Sequence, residues 1–253
     1  MRVVVIGGTG QIGLRVVSGL QALGHSVLAA SPGTGVDIIS GDGLAAALEG
    51  AEVVIDVTNK VAMDRDASVS FFETAARNIL TAEIGAGVRH HLALSVLNSE
   101  RLSGSGYIAG KLAQESYVRS APVPYTLVHA AQFFELVPMI IQMLATGGVA
   151  RLPHALFQPI AAQEVADALV HLATGAPVNG RYQIAGPEIF RIDELAARYV
   201  RKTGGSVRIE ADPHGTYFGA PLTDDILLPD EDAHLQWTTF DDWLATQDVS
   251  SAA

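Results

Sequence analysis

The stretch Arg2-Val3-Val4-Val5-Ile6-Gly7-Gly8-Thr9-Gly10-Gln11-Ile12-Gly13 decides the fold. Val3–Ile6 is a continuous apolar run, the pattern of a strand buried on both faces. Glycines at 7, 10 and 13 follow, and Ile12–Leu23 then reads as a helix closed by Gly24. A strand–turn–helix of this kind needs glycine for the tight turn, for approach of the backbone to a pyrophosphate, and for close packing of helix on strand. The helix N-terminus offers unpaired N–H groups and a positive dipole end to phosphates. Thr9, Gln11 and Ile12 complete the candidate phosphate-binding turn with Gly7, Gly10 and Gly13.

Outward from this turn, short apolar runs alternate with helical stretches. Strands are expected at Ser26–Ala30, Val36–Ile39, Val53–Val57, Leu92–Ser95 and Tyr125–His129. Helices are expected before Gly50 and over Ala67–Ile84 and Gly110–Arg119. That alternation implies a parallel sheet covered on both faces, a Rossmann-type doubly wound α/β fold. After residue 130 the pattern loosens. Helices are expected at Leu136–Leu144, Gln163–Ala173, Ile192–Lys202 and Phe240–Thr246, and a strand at Arg181–Ala185. We read residues 1–253 as one domain, with roughly 131–160 and 186–253 forming a small C-terminal substrate-covering region.

Composition excludes several classes of function. The chain has 253 residues, 49% of them hydrophobic and 17% charged, and no cysteine. Disulfides, thiol nucleophiles and cysteine-held metals are therefore excluded. Leu136–Leu144, the longest apolar stretch, is far short of the ~20 residues that span a bilayer, and the N-terminus has no signal-peptide pattern. A cytoplasmic protein without a membrane partner is expected. All 16 basic residues and 17 of the 27 acids lie in residues 1–208, which are near neutral; residues 209–253 carry the other ten acids and no Lys or Arg. No basic face for nucleic acid results, and the acidic end reads as a solubilising surface.

The nucleotide end of the site is less regular. The second strand ends in Ser31-Pro32-Gly33, without the carboxylate that holds a ribose 2′-hydroxyl in NAD-specific sites. Arg15 and Ser31 are the candidates for a 2′-phosphate, which tips the expectation toward NADP over NAD. Asp42 is a candidate for the adenine amino group or a plain turn residue. Thr58 and Asn59 end the fourth strand at the carboxyl edge, where open α/β sheets bind ligands.

Tyr107-Ile-Ala-Gly-Lys111 places a phenol and an ammonium on one helix face. A cation beside a phenol lowers its pKa from ~10 and makes it a usable acid or base. Ser95, closing the preceding strand, is a candidate to polarise a substrate carbonyl.

These residues, together with the glycine turn and the helix at Gln163–Ala173, resemble the atypical short-chain dehydrogenase/reductases, and more closely their NmrA-like NAD(P)H-binding branch. The resemblance spans roughly residues 1–245. It implies Ser95, Tyr107 and Lys111 as the catalytic set, with Lys111 also on the nicotinamide ribose. It implies Gln132 and Phe133 beside the nicotinamide, and Asn78 where some members hold a proton-relay water. His129 stands where many relatives carry Arg, and reads as packing or pocket lining. Some NmrA-like members are non-catalytic dinucleotide sensors, usually without the Tyr–Lys pair that this chain keeps.

The substrate side draws on Phe133, Phe134, Met139, His154, Phe157, His214, Tyr217, Phe218 and Trp237, with His214–Phe218 as the substrate loop. Aromatics with few charges suit an apolar or aromatic compound. His90 and His91 point to opposite faces of a strand, and no metal is expected. Ser95 lacks the G-x-S-x-G context of a hydrolase. The expected function is an NAD(P)-dependent oxidoreductase, a reductase of an apolar or aromatic carbonyl or conjugated double bond. A dinucleotide-sensing regulator and a non-redox isomerase or dehydratase stand as alternatives, and a homodimer is expected by analogy alone.

Overall fold

The computed structural model describes residues 1–102 and 104–247. Residues 248–253, the end of the expected substrate-covering region, lie outside the described residues. The elements in chain order are β1 (Arg2–Ile6), α1 (Gln11–Ala22), β2 (Ser26–Ala30), α2 (Leu44–Leu48), β3 (Val53–Asp56), α3 (Arg65–Ala86), β4 (His90–Val96), α4 (Gly106–Ser120) and β5 (Tyr125–Ala130). They continue with α5 (Leu136–Leu144), β6 (Ala145–Thr146), β7 (Val149–Pro153), β8 (Leu156–Phe157), α6 (Ala162–Ala173), β9 (Gly180–Ala185) and β10 (Phe190–Arg191). The last are α7 (Ile192–Thr203), β11 (Arg208–Asp212), β12 (Thr216–Tyr217), β13 (Ala220–Pro221), β14 (His234–Leu235) and α8 (Phe240–Ala245).

Seven strands form one sheet in the order β14-β9-β5-β4-β3-β1-β2, and every pairing in it is parallel. This is the Rossmann-type doubly wound sheet. Its two faces are covered by different helices, as the apolar strands require. Leu92 packs on the side of α1 and α6 with Val16, Leu20, Val165 and Leu169. Ala93 packs on the side of α3 and α4 with Leu80 and Val118. His90 and His91 divide the same way: His90 Nε2 lies 2.9 Å from Thr126 Oγ1, whereas His91 Nδ1 meets Glu83 of α3 at 2.7 Å.

The expected strand at Val36–Ile39 does not form. Asp37 instead accepts from the backbone N–H groups of Ile39 and Ser40, and its own N–H donates to the Asp42 carbonyl. The segment turns back on itself, with Gly35, Gly41 and Gly43 all at positive φ. Gly43 approaches Gly35 so closely that a Cβ there would lie 2.2 Å from the Gly35 carbonyl oxygen. Val36 is buried and Ile38 packs against the same core, so the apolar residues anchor a loop. β2 is consequently the last strand on that edge. Helix α4 begins four residues before its expected start, because Ser105 caps it by accepting from Ile108 N–H.

Beyond β5 the small sheets β6-β7-β11 and β8-β10, the hairpin β12-β13 and helices α5, α7 and α8 enclose a second apolar core. The acids of this region meet arginines and a lysine. Asp241 pairs with Arg198 and Lys202, Asp224 with Arg191, Asp230 and Asp225 with Arg181 and Arg101, and Glu210 with Arg151 and Arg208. Five of the ten acids of the acidic end thus pair with neighbouring bases at the surface. No helix among the described residues is long and apolar enough to cross a membrane.

Candidate functional site

The glycine turn follows β1 directly. Gly7 sits at φ +77°, and its N–H donates to the Ala30 carbonyl at the end of β2 at 2.9 Å. Gly13 packs so tightly that a Cβ would fall 2.2 Å from the Gly7 carbonyl oxygen and 2.6 Å from Gly8 Cα. At Gly10 an added Cβ meets only the Gly7 carbonyl, at 3.3 Å. Helix α1 starts here with no side-chain cap at Gly10, so the first-turn N–H groups of Gln11, Ile12 and Gly13 remain open to a phosphate. Thr9 is exposed at the tip of the turn.

Further along the carboxyl edge, Thr58 Oγ1 is buried without a hydrogen-bond partner, and so are both ends of the Gln132 carboxamide. Such orphans are rare in a folded core. Their position at the strand ends fits a polar ligand laid across that edge. Phe133, beside Gln132, is partly buried and bridges to Ile160. No cluster of metal-ligating side chains occurs among the described residues. The open turn and these unpartnered groups fit a dinucleotide.

Ser31 and Arg15, expected to share a 2′-phosphate, face different neighbours. Ser31 is buried in a short capped turn, with Thr34 Oγ1 accepting from its N–H at 2.8 Å. The Arg15 guanidinium folds onto the Gln11 carbonyl at 2.8 Å. Asp42 lies on the turn that replaces the expected strand. Asn78 is committed to that turn, donating to the Ile38 and Ile39 carbonyls at 2.9 Å each.

Tyr107 and Lys111 share the buried face of α4. The Tyr107 hydroxyl donates to Asn59 Oδ1 at 2.9 Å. Its ring lies 5.1 Å from Phe218 and 6.3 Å from Phe72. Burial, with Tyr217 nearby, pushes this phenol above its ordinary range. The expected lowering by Lys111 does not appear because the ammonium is turned inward. Lys111 Nζ donates to the Leu94 carbonyl at 2.7 Å and to Gln114 Oε1 at 2.5 Å, and it lies 4.9 Å from the Phe72 ring. Gln114 in turn donates to Asp56 Oδ2 at 2.7 Å, and Asp56 Oδ1 accepts from Thr58 N–H. Burial brings the Lys111 pKa down to about 8, with Asp56 and Glu115 only partly offsetting it.

Ser95 does not join this pair. Its hydroxyl donates to Glu115, which also accepts from Ser99 at 3.2 Å and from Arg119 at 2.6 Å. Glu115 is eight residues beyond Tyr107 on α4, about 12 Å of helix rise. Ser95 therefore spends its hydroxyl hydrogen on a carboxylate, and the Tyr107 hydroxyl takes a different partner. Burial pushes the Glu115 carboxyl up, but His129, Ser95 and Arg119 outweigh it and hold it at about 2. His129 belongs to the same cluster, fully buried with Nε2 3.1 Å from Glu115 Oε1, so it packs the core and lines no pocket. Glu115 was missed by the sequence reading, although the same four-residue spacing that links Tyr107 to Lys111 leads on to it.

The aromatic candidates separate. Phe134 is fully buried against Phe240 and Trp243, which makes it a core residue and not a substrate contact. Phe157 is buried in the same core, whereas Met139 and Trp237 face solvent. His154 pairs with Asp193 at 2.9 Å. Of the expected loop, His214 is exposed on the approach to the hairpin. Tyr217 and Phe218 reach the Tyr107 end, and burial pushes the Tyr217 phenol up to about 12.

The chain matches no protein-family model and no curated protein. Solved structures do share its fold. It is similar to DesIV, a dTDP-glucose 4,6-dehydratase from Streptomyces venezuelae solved with NAD and TYD bound, at 20% identity and a TM-score of 0.73 over 97% of this chain and 95% of that one. It is similar to a dTDP-4-dehydrorhamnose reductase from Bacillus anthracis in complex with NADP, at 16% identity and a TM-score of 0.69 over 83% and 84%. An NADPH-dependent quinone oxidoreductase from Escherichia coli aligns at 19% identity and a TM-score of 0.61, over 83% and 78%. At these identities the likeness establishes the Rossmann-type fold that all of them share.

Proposed function

We propose that this chain is an NAD(P)-dependent oxidoreductase of the short-chain dehydrogenase/reductase type, close to the NmrA-like branch, reducing an apolar or aromatic carbonyl or conjugated double bond. The observation that carries this reading is the Tyr107–Lys111 pair on one buried helix face, beside the carboxyl edge where Thr58 and Gln132 lack partners. The open N–H groups of Gln11, Ile12 and Gly13 would hold the pyrophosphate, with Thr58, Asn59, Gln132 and Phe133 toward the nicotinamide. Arg15 and Ser31 are assigned to a 2′-phosphate, in favour of NADP. When bound, the dinucleotide supplies a hydride to the substrate carbon. Tyr107 delivers its phenolic proton to the substrate oxygen, or to carbon for a conjugated double bond. Lys111, released from Gln114, returns positive charge to the phenolate side. Residues from 131–160 and 186–247, with the Phe218 hairpin foremost, cover the substrate and exclude water.

Calorimetric titration with NADPH and NADH tests the foundation. Binding with about tenfold preference for NADPH, a difference of ~1.4 kcal/mol, is expected; binding of neither overturns the reading. Turnover on a panel of aromatic aldehydes and quinones, lost at least 100-fold in Tyr107→Phe with dinucleotide affinity kept, tests the chemistry. The inward turn of Lys111 and the commitment of Ser95 to Glu115 favour one second reading, a dinucleotide-sensing protein. It gives tight binding and no turnover on the whole panel.

A further inference from the structure

We propose that Asn59 is the positioning residue of the Tyr107 phenol, accepting its proton in the neutral form and donating to its oxygen in the ionised form. This deepens the oxidoreductase reading and rests on it for its catalytic meaning. Ser95, expected beside Tyr107, donates to Glu115 instead. The polar group that does meet the phenol is the Asn59 carboxamide, 2.9 Å from the hydroxyl. A carboxamide carries an acceptor and two donors on one rotatable plane. A half-turn of that plane exchanges acceptor for donor without moving the backbone. Among uncharged side chains of this length, that is the chemistry an oxygen needs when it alternately holds and gives up a proton. Asn59 lies just after β3 and is exposed, so its plane is free to turn.

The other groups that face Tyr107 do not supply this exchange. Lys111, on its own helix, is tied to Leu94 and Gln114. Tyr217 and Phe218 come from the hairpin, and Phe72 from α3. Lys60, next to Asn59, places its ammonium 4.8 Å from the Phe71 ring.

The test places 3,5-difluorotyrosine, whose phenol ionises nearer neutrality, at position 107 of the full chain and follows its titration by absorbance and fluorine NMR. No substrate or dinucleotide is needed, so the result is scored even if NADPH fails to bind and the oxidoreductase reading falls. Asn59→Asp, which can only accept and adds a negative charge, is expected to raise the midpoint by one unit or more. Asn59→Leu, which can neither accept nor donate, is expected to raise it by less. Ser95→Ala is expected to leave it within 0.2 unit. An unmoved midpoint in both Asn59 variants overturns the proposal. So does a rise in Asn59→Asp alone, which would reduce the effect to a new charge, or an equal rise in Ser95→Ala.

Discussion

The ring of Phe218 lies 5.1 Å from that of Tyr107, and the backbone that puts it there is left-handed, with φ +46°. Phe218 and Gly219 are the two loop residues between β12 and β13, both at positive φ, as a two-residue type I′ hairpin requires. That turn favours Asn or Asp in the first position, and a bulky residue there stores of order 1–3 kcal/mol of strain. The aromatic contact with Tyr107 returns ~0.5–1.5 kcal/mol, and partial burial adds to it. Phe218→Gly should therefore change stability by less than ~1 kcal/mol, since relieved strain offsets lost contact. Phe72→Ala, at a fully buried position without such strain, should cost ~3–5 kcal/mol. Chemical denaturation of the two variants checks the contrast.

Two glycines of the first turn should separate folding from ligand binding. At Gly13 a Cβ collides with backbone atoms at 2.2 and 2.6 Å, so Gly13→Ala should lose more than ~2 kcal/mol of stability. At Gly10 the nearest atom is 3.3 Å away and the backbone is extended. Gly10→Ala should stay within ~1 kcal/mol of the parent and weaken dinucleotide binding by calorimetry. Equal destabilisation by both would remove the distinction.

Glu115 should give the fold an acid-sensitive component. Its carboxyl is held at about 2 against an ordinary 4.5. A depressed carboxylate stabilises the fold fully above its unfolded pKa and loses that contribution as pH falls toward the folded value. The contribution is on the order of 3 kcal/mol. Glu115→Gln should be less stable than the parent at pH 7 by this order. The gap should close between pH 4.5 and about 2, as followed by urea titration at each pH.

Lys111 adds a second rise of stability with pH, on the alkaline side. Its folded pKa of about 8 lies below its ordinary 10.5. Above pH 8 the unfolded chain binds more protons there than the folded one, so stability rises with pH until about 10.5. The stability of the parent relative to Lys111→Met should grow across that window. Parallel curves would show that the ammonium is not buried.

Much of this was legible in the sequence. The glycine turn and the alternation of apolar runs with helices announce the doubly wound sheet, because both follow from local geometry. The Tyr107–Lys111 spacing puts two groups on one helix face by the same reasoning. What the sequence did not show is which partner each group takes. A serine at the end of a strand and a tyrosine twelve residues on can meet or can bond elsewhere, and here Ser95 goes to Glu115 and Tyr107 to Asn59. Val36–Ile39 has strand composition, but its glycines and Asp37 close a turn first. Phe134, Tyr217 and Phe218 are alike in sequence terms; long-range packing buries the first and brings the other two to Tyr107.

The loop that replaces the expected third strand carries a last consequence. Between residues 31 and 43 the backbone bonds mainly to itself, with Asn78 and one threonine hydroxyl tying it to the body. No ladder of the sheet passes through it. On the proposed reading this is the segment nearest the adenosine end of a dinucleotide. The choice between two dinucleotides is then written in a module that can be exchanged or drift in sequence while the sheet keeps its register, so new cofactor preferences can evolve here without a detour through unfolded intermediates.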